Sequence, residues 1–387
     1  MIKKLCLVFL DPRGVISRDT DSLVRHMNYS ELIWNRLFPD HDIAIEILLI
    51  TPESSLDIEG TKSQTLEMHF LGKPSRFSVS FIMQTIDVLR GKGFSRTLII
   101  VGDPWESFLH AYIVRIFLGE STLIQTNIHA DIFDDKWVNQ KFIHMLRSKF
   151  SWLSIKRSNS IRVVSSQVAE RISQKFPNKS ITNAPIATNF NLTPRPIDRK
   201  NNKKHIVLGW IGRFDEDRGV QDFVEFVIRL NMINATFEIK MAGRGKLLEQ
   251  TKKVLNNELG PERISYLGYL QGADLNKVYE DIDILLTFAQ SESYGLAIRE
   301  ALRFGKPVWG VESLGLQRLQ DLVGEKFVRV LDSNAELNTL ESTMDDLASC
   351  VIPANVSAKI SKIDAENISL LIESWAELLS TNIPKVK

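Results

Sequence analysis

Short apolar runs that resemble buried strands alternate with helical stretches along the whole chain, and this alternation limits the fold more than any other feature. The strand-like runs are 5–10, 44–50, 97–101, 122–128 and 161–164 in the first half, and 205–211, 236–242, 264–267, 282–288, 307–311 and 327–331 in the second. Helical spacing is found at 79–90, 105–117 and 138–154. This pattern is typical of parallel sheets covered by helices on both faces, so the sequence predicts an α/β fold.

The length of 387 residues exceeds what one ordinary hydrophobic core supports, and it therefore indicates two domains. Pro194 and Pro196, followed by polar and basic residues, predict an interdomain linker within 191–204. We expect two tandem Rossmann-like, doubly wound domains that face a cleft, an N-terminal one at 1–195 and a C-terminal one at 205–363. Ligands of such sheets gather at the carboxyl ends of the strands.

Charge, cysteine content and the length of the apolar runs exclude several classes of protein. A formal net charge of +1 argues against a dedicated nucleic-acid binder, and two distant cysteines, Cys6 and Cys350, predict no disulfide framework and a reducing compartment. The apolar run at 5–10 stops at Asp11, which is too early for a signal peptide. No run reaches the roughly 18 apolar residues of a membrane span. We expect a soluble, cytoplasmic protein.

The segment 291–300 carries most of the functional information. The run 283–288 before it predicts a buried strand, and 294–304 predicts a helix. Ser291 or Ser293 is available as the N-cap of this helix.

The N-terminus of the predicted helix, at Tyr294, Gly295 and Leu296, would offer backbone N–H groups and the positive end of the helix dipole to an anion. Glu292 would lie beside this anion site, and Glu300 about two turns further along. Such a layout suits a ligand with a diphosphate in the middle and hydroxyl-bearing sugars on either side. A nucleotide-sugar is a ligand of this kind.

A second candidate site is the loop 212–219, which follows a predicted strand and precedes a predicted helix. Arg213 and Arg218 can converge on one anionic group, and the planar fork of arginine suits phosphate. The alternative is that Arg218 pairs with Asp215 or Asp217 on the surface.

These motifs, in their order and spacing, resemble a known family. They are Gly212-Arg213, Arg218-Gly219, Ala242-Gly243-Arg244-Gly245, Tyr266-Leu267-Gly268, the segment 292–300 and Gly305-Lys306-Pro307-Val308. Together they look like the C-terminal half of retaining GT-B glycosyltransferases of family 4, the glycosyl transferases of group 1. The resemblance is strong over about 205–325 and weaker in the first half, where Ile128-His129-Ala130-Asp131 and 161–165 carry it.

The resemblance implies a role for each candidate. Glu300 would accept hydrogen bonds from the ribose hydroxyls, and Glu292 would hold hydroxyls of the donor sugar. Arg213 and Arg218 would neutralise the diphosphate as negative charge develops on it. His129 would contact the donor sugar, although a lone histidine after a strand is also compatible with a purely structural role.

The resemblance implies further substrate-binding positions, which are Gly14, Asp131, Gly212, Gly243, Leu267, Ser293, Tyr294, Gly295 and Leu296. Two positions depart from the family pattern. Gly14 stands alone where the family usually has a richer glycine loop, and Arg218 stands where lysine is common. The resemblance also implies that the last helix, within 364–387, packs back on the N-terminal domain.

The implied function is that of a retaining, hexosyl-type glycosyltransferase, which moves a sugar from a nucleotide-diphosphate donor, such as a UDP- or GDP-sugar, to a hydroxyl acceptor. A glycan or a lipid-linked glycan in cell-surface polysaccharide or glycolipid biosynthesis would be the acceptor, bound mainly by the N-terminal domain. No Asp-x-Asp motif lies in a suitable loop and arginines take the place of a cation, so we expect no cofactor and no metal. Two alternatives stay open, a nucleotide-sugar epimerase or hydrolase on the same scaffold and a non-catalytic nucleotide-sugar-binding module.

The segment 136–157 contains six lysines and arginines, no acidic residue and several aromatic residues. On a helical wheel, Lys136, Lys141, His144 and Arg147 lie opposite a broad apolar arc. This pattern is compatible with a peripheral contact to an anionic membrane at the inner face of the cell membrane. It is also compatible with an ordinary helix that packs its apolar arc on the core and exposes its basic side.

Overall fold

The computed structural model describes residues 3–37, 43–52, 64–73, 77–129, 131–186, 205–232, 237–290, 292, 294–331 and 337–380. Contacts divide the chain into two compact units, one formed by Met1–Pro185 with Glu366–Lys387 and the other by Ile186–Ala365. The predicted linker, 191–204, lies outside the described residues, so the limits expected for the domains stay a prediction.

The described part of the first unit contains a parallel seven-stranded sheet with the order β3-β2-β1-β4-β5-β6-β7. The strands are β1 (Lys3–Leu10), β2 (Ile43–Thr51), β3 (Glu67–Phe70), β4 (Arg96–Val101), β5 (Thr122–Ile128), β6 (Ser160–Val163) and β7 (Ser180–Asn183). Most residues of the central strands are buried, as expected for parallel strands covered on both faces. The edge strands β3 and β7 are missing from the sequence prediction because they are short, partly exposed and without an apolar run.

Six helices of the first unit are α1 (Thr20–Leu37), α2 (Val79–Lys92), α3 (Glu106–Leu118), α4 (Asp135–Gln140), α5 (Phe142–Arg157) and α6 (Ser166–Lys175). The predicted helix at 138–154 is two helices in the structure. The chain breaks at Lys141, which adopts an extended conformation between α4 and α5.

The sheet of the second unit is also parallel, and its strand order is β10-β9-β8-β11-β12-β13. The strands are β8 (Ile206–Ile211), β9 (Phe237–Ala242), β10 (Ile264–Gly268), β11 (Ile284–Thr287), β12 (Val308–Gly310) and β13 (Val328–Val330). Every strand expected for this half is present. In both sheets the strand order reverses beside the first strand, as in doubly wound folds. The predicted fold class, two tandem doubly wound α/β domains, is confirmed.

Helices of the second unit are α7 (Val220–Met232), α8 (Leu248–Leu259), α9 (Gly272–Asp281), α10 (Leu296–Arg303), α11 (Leu314–Val323) and α12 (Leu337–Ser349). The core on one face of this sheet is rich in aromatic side chains. Trp210 packs 4.5 Å from Phe223, and Phe226 packs edge-on against Trp309 at 4.8 Å, both measured between ring centroids.

The last helix, α13 (Ala354–Ser380), begins in the second unit and ends in the first. Its Trp375 is completely buried within the first unit. The indole Nε1–H donates to Gln125 Oε1 at 2.6 Å, and the ring packs edge-on against Phe9 and Tyr29. The C-terminal part of α13 is therefore part of the core of the first unit.

No helix in the described ranges has the length and apolar character needed to cross a membrane.

Trp375→Ala would remove a large buried side chain and leave Gln125 Oε1 without its indole donor. We expect the free energy of unfolding of the first unit to fall by about 3–5 kcal/mol, measured by chemical denaturation. The matched control is Leu370→Ala on the same helix, because Leu370 is exposed. The control should change the same quantity by no more than about 0.5 kcal/mol. Equal effects of the two substitutions would contradict the proposed packing.

Candidate functional site

The candidate site of the second unit lies at the carboxyl ends of β8, β9 and β11, where the strand order reverses. The loops that follow these strands carry most of the residues singled out in the sequence. Buried aromatic side chains anchor two of the loops, since Phe214 follows β8 and Phe288 follows β11 and both are buried. Packing of these two side chains in the hydrophobic core therefore fixes the positions of the loops and of their polar residues.

Backbone hydrogen bonds join the loops after β8, β9 and β10. Gly212 N–H donates to the carbonyl of Ala242 at 3.0 Å, and Gly243 N–H donates to the carbonyl of Gly268 at 2.7 Å. A methyl group on Gly243 would lie 1.8 Å from the Gly212 carbonyl oxygen. The glycine at 243 is thus required by the close approach of two backbones.

Gly219 and Gly212 differ in what surrounds them. Gly219 has a positive φ of 68°, and a methyl group there would lie 2.1 Å from the carbonyl oxygen of Phe288. This contact brings the loop after β8 against the loop after β11. A methyl group on Gly212 would meet no described atom within 4 Å. Protein packing therefore explains the glycine at 219 and leaves the one at 212 unexplained.

An arginine, a carboxylate and a helix N-terminus meet at this edge of the sheet. Arg218 Nη1 donates to Glu292 Oε2 at 2.8 Å. The other carboxylate oxygen, Glu292 Oε1, accepts the N–H of Gly295 at 2.9 Å and that of Tyr294 at 3.2 Å. These two amides are among the three expected to bind an anion. In the structure this helix terminus and Arg218 therefore both contact the carboxylate of Glu292.

Arg213 lies in the same network. It forms ion pairs with Asp215 at 2.5 Å and with Asp217 at 2.7 Å. Asp217 also approaches Arg218 Nε at 3.7 Å, so one carboxylate lies between the two guanidinium groups. The surface pairing considered for Arg218 is thus made mainly by Arg213, while Arg218 takes Glu292 as its closest partner.

Glu300 lies one turn inside α10, and the buried Tyr279 donates a hydrogen bond to it at 2.7 Å. Burial, and then the negative charge of Glu300, raises the pKa of Tyr279 well above its usual value. The phenol therefore stays protonated and remains a donor. No sequence feature links Tyr279 to Glu300, because the two residues come from separate helices.

The Tyr294 side chain is held by residues of the same unit. Its hydroxyl donates to Asp364 Oδ1 at 3.0 Å, and the Arg299 guanidinium lies 4.1 Å from its ring centroid. Arg299 is also 3.5 Å from the buried Asp364. Sequence reasoning missed Arg299 and Asp364; the arginine lies inside the 292–300 segment, whereas nothing in the sequence connects the aspartate to it.

The remaining candidates of the second unit are Leu267, Leu296 and Ser293. Leu267 is exposed at the end of β10, and Leu296 is the first residue of α10. Ser293 and the alternative N-cap Ser291 lie outside the described residues. In the described structure Gly295 precedes the first residue of α10, in a left-handed conformation with φ of 74°.

In the first unit, Gly14 lies in a turn that a buried carboxylate organises. Asp11 accepts the N–H groups of Val15 at 2.9 Å and Ile16 at 2.6 Å, and Gly14 has φ of 65°. Burial raises the pKa of Asp11. The Asp11 carboxylate therefore supports the turn in which Gly14 lies.

His129 follows β5 and is a neutral base in its surroundings. Desolvation by neighbouring atoms, and then the positive charges of Arg162 and Arg25, lowers the pKa of His129 below its usual value, although the residue is exposed to solvent at the end of the strand. The nearby Asp131 pairs with Arg171 at 3.1 Å and accepts the N–H of Phe133. Neither Arg162 nor Arg25 was predicted to lie near His129, because nothing in the sequence places them there.

Among the described residues, no group of three or more histidine, cysteine, aspartate or glutamate side chains has the arrangement of a metal site.

Comparisons with known proteins agree with this architecture. Residues 195–318, about a third of the chain, match the family model described as "Glycosyl transferases group 1". A solved structure of Anabaena HepE in complex with UDP-glucose is similar over 96% of this chain and 98% of its own, with a TM-score of 0.66 and 13% identity. The chain has the GT-B fold.

Two further structures with this GT-B fold come from lipopolysaccharide glycosyltransferases. WaaG matches over 98% of this chain and 100% of its own, with a TM-score of 0.63 and 12% identity. The outer core galactosyltransferase WaaB matches over 96% and 99%, with a TM-score of 0.61 and 15% identity. A search of curated protein sequences found no significant match.

Gly219→Ala would force a methyl group into the Phe288 carbonyl at a left-handed position. We expect the free energy of unfolding of the second unit to fall by at least about 1–2 kcal/mol from the backbone conformation alone, measured by chemical denaturation. Gly212→Ala is the matched control and should leave this quantity within about 0.5 kcal/mol of the parent protein. A fully stable Gly219→Ala protein would show that the two loops do not meet as described.

Proposed function

We propose that this protein is a glycosyltransferase that moves a sugar from a nucleotide-diphosphate donor to a hydroxyl acceptor. The observation that carries the proposal is the oxyanion held by Arg218 and the amides of Tyr294 and Gly295, with Glu292 supplying that oxyanion. Groups that hold a carboxylate in this way have the geometry to hold a phosphate oxygen. The match of 195–318 to the glycosyl transferases of group 1 covers all these residues and supports the assignment.

In the proposed complex, Arg213 and Arg218 bind the diphosphate of the donor. The open space above Gly212 lets a phosphate oxygen approach the backbone, and Gly243 keeps the neighbouring loop close. Glu300 accepts hydrogen bonds from the ribose hydroxyls. Tyr279 fixes the orientation of Glu300 for this task.

Glu292 is proposed to contact the donor sugar near its reacting carbon. As the glycosidic bond breaks, positive charge develops on the sugar and negative charge on the departing diphosphate. A carboxylate near the sugar and arginines near the diphosphate stabilise both charges. Binding of a phosphate would compete with Glu292 for the same amides, so the carboxylate would turn from the helix terminus towards the sugar hydroxyls.

We propose a retaining reaction of the family 4 type. The acceptor oxygen forms its bond to the sugar carbon on the face that the diphosphate leaves, and the acceptor proton passes to an oxygen of the departing diphosphate. The donor carbon–oxygen bond breaks in the same sequence of events, so no covalent enzyme intermediate is needed. Two arginines supply the positive charge at the diphosphate, and we propose that transfer needs no metal ion.

In the first unit we propose that His129 contacts a sugar hydroxyl and that Gly14 and Asp131 shape the substrate-binding edge of the sheet. A neutral imidazole can donate one hydrogen bond and accept another without adding charge. Asp131 acts through its ion pair with Arg171, which holds the turn after β5. Leu267, Leu296 and Ser293 remain proposed contacts of the donor.

The donor and the pathway are proposed by analogy. Because HepE is described in complex with UDP-glucose and WaaB is described as a galactosyltransferase, we propose a UDP-hexose as donor. A glycan or lipid-linked glycan in cell-surface polysaccharide or glycolipid biosynthesis is the proposed acceptor, and the cytoplasm is the proposed compartment.

UDP-glucose, UDP-galactose and a GDP-hexose should first be compared by thermal shift, since a ligand of the folded state raises the melting temperature. With the donor that binds, Glu292→Gln should lower kcat by about 100-fold or more, because a neutral amide loses the electrostatic stabilisation of the sugar cation. Transfer to a panel of glycan acceptors is the measurement. Glu258→Gln, at an exposed glutamate of α8, is the control and should be unchanged.

Three results would contradict the proposal. Near-normal transfer by a folded Glu292→Gln protein would show that Glu292 has no role in catalysis and that the proposed site is wrong. Isomerised or hydrolysed donor as the main product in the presence of every acceptor would favour the epimerase or hydrolase alternative, and donor binding without any turnover would favour a binding module.

Gly212→Ala tests donor contact separately from folding. The added methyl group meets no described protein atom, so the melting temperature of the free protein should stay unchanged. If a phosphate oxygen approaches this backbone, the Kd for the donor should rise about tenfold or more, measured by calorimetry. Parent-like affinity in this variant would place the diphosphate elsewhere.

A further inference from the structure

Four large apolar side chains of helix α5 lie on its outer side. Phe142 is 72% exposed, Ile143 49%, Leu146 44% and Leu153 47%. The buried positions of the helix are instead Ser148, Ser151, Ser154 and Ile155. Ile155 is buried, and Phe150 and Trp152 pack partly against the core, so α5 has an outer apolar face in addition to its inner one. An ordinary surface helix has polar side chains on its outer face.

Specific contacts hold α5 in this orientation. The Trp105 indole donates to Ser151 Oγ at 2.8 Å, and the Arg147 guanidinium lies 4.7 Å from the Trp105 ring centroid. Arg147 also pairs with Glu106 at 3.0 Å. The His144 ring stacks on Trp137 with centroids 4.2 Å apart.

These contacts correct the helical-wheel interpretation of the sequence. His144 and Arg147 were expected on the solvated side, and they lie against tryptophans. Lys141 is exposed, as expected. The stacking of cationic and imidazole groups on indole rings outweighs the preference of these polar side chains for water. The side chain of Lys136 lies outside the described part of the structure.

Basic residues complete the outer face of α5. Lys149 and Lys156 are exposed and alternate along one stripe with Phe142, Leu146 and Leu153, because the five positions are three or four residues apart. We call these five side chains, together with Ile143, the α5 surface. The sequence from 136 to 157 contains no acidic residue that could neutralise the lysines.

We propose that the α5 surface binds an anionic phospholipid bilayer. The apolar side chains would enter the boundary between headgroups and acyl chains, while Lys149 and Lys156 would contact negatively charged headgroups. The positive charge of the two lysines favours an anionic bilayer as the partner of this surface. Two copies of the chain joined through the α5 surface would bring lysines towards lysines in a partly desolvated interface, which like-charge repulsion opposes.

This inference does not depend on the proposed transfer reaction. It assigns a membrane-facing side to the first unit and concerns residues with no part in the proposed binding of the donor. An experiment can therefore contradict the proposal of lipid binding without contradicting that of glycosyl transfer, and the reverse.

The test is co-sedimentation of the full chain with vesicles of phosphatidylcholine alone or with about a third phosphatidylglycerol. The parent protein should sediment with the anionic vesicles and stay in solution with the neutral ones. Binding should weaken as salt is raised, because screening reduces the lysine–headgroup attraction. No sedimentation with anionic vesicles, or equal sedimentation with both kinds, would overturn the proposal.

Two double variants separate charge from apolar contact. Lys149→Glu with Lys156→Glu should lower the vesicle partition coefficient about tenfold or more, and so should Phe142→Ser with Leu146→Ser. The charge control is Lys253→Glu with Lys326→Glu, which makes the same change in net charge at exposed lysines of the second unit. The apolar control is Met232→Ser with Val351→Ser, at exposed positions of the second unit.

Both controls should sediment like the parent protein. All altered side chains are exposed, so circular dichroism and melting temperature should match the parent in every case. Parent-like binding by either α5 variant would overturn the proposal. So would a lipid-free dimer in the parent, seen by light scattering, that Phe142→Ser with Leu146→Ser dissociates, because the α5 surface would then join two copies.

Discussion

The hydrogen bonds of the Glu292 carboxylate hold the candidate site together, since they connect a loop from β8 to the start of α10. One oxygen takes Arg218 and the other takes the amides of Tyr294 and Gly295. An ion pair as accessible as this one contributes about 1 kcal/mol or less to stability. Its importance lies in position, because it places a cation, a carboxylate and a helix terminus within a few ångströms of one another.

This arrangement rests on backbone contacts that side chains alone would not produce. Gly219 lets the loop after β8 touch the carbonyl of Phe288, and Gly243 lets the loop after β9 touch that of Gly212. Buried aromatic residues in the same loops tie them to the core. Gly212 differs from these two glycines, because a methyl group there would meet no described protein atom. Packing within the protein therefore does not require a glycine at this position, whereas the approach of a ligand would.

Much of the architecture was predictable because parallel strands buried on both faces need uninterrupted apolar runs. The strands of the second sheet are rich in apolar residues, without a break in β8 and β12 and with polar residues interspersed in β9, β10 and β13. The exposed edge strands β3 and β7 have no such pattern and were missed. The residues of the candidate site were predictable in type, since they lie at the ends of those runs. Their partners were not, and the pairing of Glu300 with Tyr279 and of Tyr294 with Asp364 joins segments that are distant in sequence.

The sequence by itself determined two doubly wound sheets and the edge at which polar residues would collect, because hydrophobic periodicity and glycine positions are local properties. Only the tertiary structure decided which carboxylate meets which arginine and which face of α5 points outward. Those outcomes depend on which of several possible partners each charged or aromatic side chain contacts in the folded chain. Arg213 takes two aspartates and leaves Arg218 to Glu292, and indole rings draw His144 and Arg147 inward and so turn Phe142 and its apolar neighbours outward.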